Sequence, residues 1–240
     1  GKNCSITIKE AKSVDTTLDL VEGFRFDSGY AAGAFVTDER RKVASYEDPV
    51  FLITDSKLER VEQILPSLET AAREGRPFII VADEIEGQAL AALIMNTIRG
   101  SMKVAAIKAP RYGETRRNIM SDLSLATGAK YFRKSEGDDL SSPSLVDFGS
   151  AHSIEIGLGY TTIVGGHGTA SKVDERIENL KEDIKQEESI DECQRIQERI
   201  TRLASGIAVI NVGAHTEVEM IEKKHRIEDA LEAVRSAQLE

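Results

Sequence analysis

Apolar positions in the middle of the chain fall into two alternating rhythms. Segment 49–55, "PVFLITD", is a compact run of β-branched and aromatic residues closed by an acidic turn, which predicts a buried strand. In "SKLERVEQILPSLETAAREG" the apolar residues Leu58, Val61, Ile64, Leu65, Leu68, Ala71 and Ala72 share one helical stripe. Ser56 is the expected N-cap, Gly75 the expected stop, and Pro66 should kink or break the helix. "PFIIVAD" then predicts a strand, 86–99 a helix, "KVAAIKAP" a third strand, and "RRNIMSDLSLATG" a helix ending at Gly128. This β-α-β-α-β-α order implies an α/β fold with a partly parallel sheet and helices packed on it.

The style changes after Gly137. "SIEIGLGYTTIVGG" predicts paired strands around glycine turns. Residues 172–203 predict two amphipathic helices joined near "QEES" as an antiparallel hairpin. "GIAVINVGA" predicts another strand, and a charged helix from about Glu217 to Gln238 ends the chain.

The helix at 86–99 carries more apolar surface than one buried face requires. At about 100° per residue, Leu93, Leu90, Ile94, Ile98 and Met95 spread over roughly 200°, against the 100°-plus stripe of an ordinary surface helix. Gln88, Asn96 and Arg99 hold the remaining arc. Two readings stay open: burial between sheet and neighbouring helices, or an exposed apolar stripe that binds a partner. Met95 favours the second, because an unbranched thioether adapts to many shapes.

Composition narrows the classes without deciding among them. The 240 residues, 40% hydrophobic and 30% charged, are those of an ordinary globular protein. A formal net charge of −10 argues against nucleic-acid or anionic-membrane partners. No apolar run approaches the roughly 20 residues that span a bilayer, and "GKNCSITIKE" has no signal-peptide apolar region. Cys4 and Cys193 form no CxxC pair, so free thiols in a reducing compartment are expected.

Candidate chemistry is sparse. His152, His167, His215 and His225 lack metal-ligand spacing. Ser28-Gly29 and Ser205-Gly206 lack a GxSxG elbow, and "GLGYTTIVGGHG" reads as turn glycines in a hairpin. Asp83, Glu84 and Glu86 could serve as general acid and base, though carboxylates between a strand end and a helix start more often partner a helix dipole.

The stretches "VEGFRFDSGY", "LPSLETAAREGRPFIIVADEIEGQALAALIMNTIRG", "KVAAIKAPRYGETRR" and "GIAVINVGAHTEVEMIEKKHRIEDAL" resemble the group I chaperonins, the GroEL family, nearly end to end. The resemblance implies an apical polypeptide-binding domain over 22–206. Intermediate-domain pieces, together a small and mainly helical domain, would be 1–21 and 207–240, with the ATP-binding equatorial domain outside this chain. The apical domain would have β-sheets flanked by helices and a helical hairpin. It implies a chaperone that binds non-native polypeptide, and competitively a co-chaperonin loop, within a homo-oligomeric ring. ATP and Mg2+ would serve the full-length protein, with none bound to this chain, and the setting would be cytoplasmic. Carried over residue by residue, the binding surface comprises Tyr30, Phe35, Leu65, Leu68, Leu90, Ile94 and Met95, with Asn96 as a polar neighbour. Asp229, in "RIEDAL", matches the aspartate that helps activate water for ATP hydrolysis, while Gly23 and Gly206 match the inter-domain hinge.

The departures bear on coupling more than on binding. Ala34 stands where the family usually has an aromatic, and Ser28 replaces an arginine that pairs across subunits with a glutamate, here Glu217. Ser205 replaces one glycine of the hinge pair, and "RYGETRR" replaces the usual GFGDRRK. Such changes fit a divergent member, for which a virus-encoded origin stays open. Two other functions also stay open: an enzyme using Asp83, Glu84 and Glu86, and a scaffold whose apolar helices make only subunit contacts.

Overall fold

The computed structural model describes residues 5–239, so Cys4 lies outside the described residues. Two compact units divide the chain: one built from both ends, up to Glu22 and from Gly206 onward, and one from Gly23–Ser205.

In the unit of the chain ends, β1 (Ser5–Glu10) runs parallel to β10 (Gly206–Val212). Residues 17–22 of β2 (Thr17–Phe26) pair antiparallel with β10, Leu18 opposite Ile210 and Leu20 opposite Ala208. Their leucines stay 70% and 79% exposed, and among the described residues no strand pairs the other edge of 17–22. Helix α6 (Glu217–Leu239) packs on β1 and β10, with Lys224 paired to Glu10 at 3.2 Å. This unit is a strand-and-helix layer and not the mainly helical piece expected, because the apolar residues of β1 and β10 pair as strands.

In the larger unit four parallel strands lie in the order β7-β4-β5-β6. They are β4 (Val50–Leu58), β5 (Phe78–Ile85), β6 (Val104–Lys108) and β7 (Tyr131–Phe132). Phe51, Leu52, Ile53, Ile79, Ile80, Val81 and Ile107 are all fully buried, whichever way the pleat turns them. Such unbroken apolar runs belong to strands covered on both faces. Strand β8 (Gly149–Ile156) pairs antiparallel with the start of β4, and with β3 (Ala44–Glu47) and β9 (Thr161–Gly166). Residues 23–26 of β2 pair with β9.

Between the parallel strands lie α1 (Val61–Ala72), α2 (Gly87–Arg99) and α3 (Gly113–Thr127). One expectation for α1, its cap at Ser56, is corrected, and of the two outcomes expected at Pro66 the break is excluded. Ser56 lies within β4, its N–H donating to Thr54 Oγ1, and the helix starts after Arg60, where Gln63 Oε1 accepts the N–H groups of Glu59 and Arg60 at 2.9 Å. Pro66 does not break the helix. The carbonyl it leaves without a donor, four residues back at Glu62, sits in the exposed first turn, where water can serve it.

The "GGHG" glycines also play a different part from hairpin turns. A Cβ at Gly168 would come within 2.0 Å of the Leu125 carbonyl, and one at Gly166 within 2.2 Å of Ala126 O. Both admit the last turn of α3 against the chain leaving β9. Helices α4 (Ala170–Gln186) and α5 (Ile190–Leu203) pack on each other, and both contact α3.

One buried carboxylate joins these three helices. Asp122 of α3 is fully buried and accepts two 2.8 Å bonds from the Arg199 fork of α5 and one of 3.1 Å from Arg176 of α4. The planar guanidinium suits this paired acceptance. Removing the acceptor strands two guanidinium groups, one of them mostly buried. Asp122→Asn should therefore destabilise the protein by roughly 3–5 kcal/mol, read as a lowered urea midpoint.

Candidate functional site

Helix α2 is fixed at both ends by backbone contacts. Glu86 N donates to Leu58 O at 2.9 Å and Ala89 N to Glu59 O at 3.0 Å. At the other end Gly100 adopts φ 65°, its N–H reaching Thr97 O, and Ser101 N reaches Asn96 O. This left-handed stop is one glycine makes without steric penalty.

Between these ends the apolar fan divides. Ala89 and Leu93 are fully buried, while Leu90, Ala92 and Ile94 are half-buried against the core. Met95 remains 43% exposed and Ile98 68%. On the adjacent α1, Ile64 and Ala71 are buried, and Leu65 is 45% exposed. The surplus of the α2 fan thus meets solvent, beside a neighbouring helix that exposes a leucine of its own.

The other expected residues take varied places. Leu68 is only 8% exposed and belongs to the core. Phe35 is fully buried in a single 3-10 turn, Gly33–Phe35, that packs against α2 and β6. Its neighbour Ala34 is exposed. Tyr30 is half-buried, bridged to Ile107, with its hydroxyl donating to Lys42 O at 3.4 Å. Asn96 is tied locally: its Nδ2 donates to Ala92 O at 2.9 Å, and Ser101 Oγ donates to its Oδ1 at 3.0 Å. Ile98, which the helical periodicity placed on the fan, is the most exposed of the large apolar side chains on α1 and α2.

The acidic group beside α2 is dispersed among cations. Lys57 lies 2.7 Å from Glu86, 3.0 Å from Glu59 and 3.5 Å from Glu84. Its ammonium holds the Glu86 carboxyl below the usual range and is itself raised. Asp83 pairs instead with Arg116 of α3 at 3.6 Å. Adjacent residues of a strand point to opposite faces, so Asp83 and Glu84 serve different surroundings and do not converge as an acid–base pair. Burial pushes the Asp83 carboxyl up, Arg116 opposing it, and its Oδ1 is buried without a hydrogen-bond partner.

Elsewhere, Asp229 is exposed on α6 next to the buried Glu228. Gly23 begins the larger unit, its N–H donating to Ser205 O at 3.0 Å, and Gly206 begins the returning segment of the other. Cys193 is a half-buried free thiol. Among the described residues no cluster of His, Cys, Asp and Glu could hold a metal ion, and no helix is long and apolar enough to cross a membrane.

Residues 3–239 match the TCP-1/cpn60 chaperonin family. With almost the whole chain matched, the protein belongs to that family. Membership implies a chaperone-related function, substrate polypeptides and oligomeric assembly, and members of the family bind ATP and Mg2+.

The environment of Asp83 gives a pH-dependent expectation. A carboxyl raised in the folded state contributes stability that is fully present below its unfolded pKa and is lost as pH rises through the folded value. Asp83→Asn should therefore be at least as stable as the parent at neutral pH. That difference should shrink as pH falls through the carboxylate range, as urea denaturation across that range would measure.

Proposed function

We propose that this chain is the apical portion of a group I chaperonin, with intermediate-domain pieces at 1–21 and 207–240 flanking the apical domain at 22–206. On this reading it captures non-native polypeptide on α1 and α2. The observation that carries the proposal is the solvent exposure of Met95, Ile98 and Leu65 on adjacent helices. Burying such a side chain fully contributes about 1.5–3 kcal/mol and requires no particular sequence in the partner. Exposed apolar segments are what unfolded chains share, so clients of many sequences fit the same stripe.

Within this surface the eight residues inferred from the family divide the work. Leu65, Leu90, Ile94 and Met95 touch the client, with Tyr30 and Asn96 at the border. Phe35 and Leu68, buried in the free chain, hold the helices from beneath. A co-chaperonin loop competes for the same stripe. In the full-length protein, a homo-oligomeric ring in the cytoplasm, ATP and Mg2+ occupy the equatorial domain. Gly23 and Gly206 then act as hinges that let Asp229 reach the nucleotide. The carboxylates at 83–86, engaged by Lys57 and Arg116, favour this reading over catalysis at that place.

Two experiments test it. The double substitution Met95→Ser and Ile98→Ser removes exposed side chains, so the urea midpoint should move by no more than about 1 kcal/mol per site. Suppression of aggregation of a denatured client should nevertheless be largely lost, because a few apolar anchors dominate such surfaces. Unchanged suppression would move the client site elsewhere. In the full-length ring, Asp229→Asn should slow ATP turnover by at least about tenfold, in line with loss of a general base, and leave client capture intact. Loss of capture with normal turnover would overturn that role.

A further inference from the structure

The capture surface proposed above carries charge on one of its two helices only. The exposed positions of α1 are Glu62, Leu65, Glu69 and Ala72, and those within α2 are Gln88, Ala91, Met95 and Ile98. Both rows step by three, four and three residues, which keeps each within a strip about 80° wide on its helix. The α2 row has no charge along its length, and Arg99 stands just beyond it. The α1 row has one large apolar side chain, Leu65, set between two carboxylates a turn away on either side.

These carboxylates differ from the acidic group at the start of α2, where Lys57 already engages Glu59, Glu84 and Glu86. Glu62 and Glu69 make no hydrogen bond or ion pair among the described residues, Arg73 one turn further on included. A segment that covers Leu65 therefore lies against both. Seven residues of helix set them about 10 Å apart along the axis. Two basic residues match that span when seven apart in a helix or three apart in an extended segment. Acidic residues at the same places meet like charge. Apolar burial supplies affinity without regard to sequence, whereas complementary charges at the rim choose among partners.

We infer that the stripe prefers clients whose apolar face has a basic edge. Such a client is an aliphatic segment flanked on one side by lysine or arginine, seated with that edge along Glu62 and Glu69. This preference rests on the capture reading of α1 and α2 and adds which non-native segments the surface holds best.

One amphipathic leucine–alanine peptide is the probe, in three versions with lysine, glutamine or glutamate at two edge positions, followed by fluorescence anisotropy on the full chain. The lysine version should bind tightest and the glutamate version weakest, about tenfold apart at low salt, as two exposed contacts change from attraction to repulsion. The spread should narrow as salt rises, because exposed charges are screened beyond about 8 Å at physiological ionic strength. Glu62→Gln combined with Glu69→Gln should bring the three affinities together. Both side chains are exposed, so the urea midpoint of that variant should hold. Equal binding of the three versions by the parent chain overturns the inference and leaves capture standing. A lysine preference that survives the double substitution does the same, since the net charge of −10 would then be its source. The glutamine version should lose its binding in Met95→Ser combined with Ile98→Ser. If it fails to bind the parent, or still binds that variant, the capture reading falls and the inference with it.

Discussion

A parallel sheet with no polar face must be covered on both sides, and that requirement organises the larger unit. Phe51, Leu52 and Ile53 are all excluded from water although successive side chains point opposite ways. Parallel connections need crossovers, which bring helices onto such strands, and the Phe35 turn adds to the cover at β6. Covering the sheet uses a limited arc of each helix. For α2 that arc is Ala89 and Leu93, with Leu90 and Ile94 at its margin. Everything apolar beyond it faces outward because the sheet has no further surface to offer.

How much of this was legible in the sequence follows from the same physics. Elements whose burial is complete announce themselves: β4, β5 and β6 are continuous apolar runs, and α2 and α3 end at glycines with positive φ. Elements whose burial is partial do not. In β2 the residues Thr17 to Leu20 are all exposed, and β1 and β3 are short with mixed polarity, so no strand was expected from them. Ser56 has the right chemistry for a cap but lies beside Leu58, whose burial keeps the segment in the sheet. Local cap preference lost to tertiary burial there.

The site shows the same boundary between legible and illegible. Periodicity identified the fan on α2 and its excess width, Ile98 included. It could not say which leucine of α1 turns inward. Leu65 and Leu68 are three residues apart on one stripe, yet only the first is well exposed. Phe35 gave no periodic signal, because a single 3-10 turn is too short to have one. The charges were ambiguous for a different reason. Asp83, Glu84 and Glu86 look alike in sequence, and only the positions of Lys57 and Arg116 separate them.

The exposed edge of β2 carries a practical consequence. Leu18 and Leu20 lie on a strand whose outer backbone groups are unpaired among the described residues, a geometry that accepts an added strand from another chain. Fluorescent dyes that light up on greasy surfaces would count these leucines together with Met95 and Ile98. Brightness from the isolated chain is therefore a sum over two places, and only one of them is the stripe proposed to hold clients. Charged replacements at Leu18 and Leu20 would silence the first contribution and leave the second to be read alone.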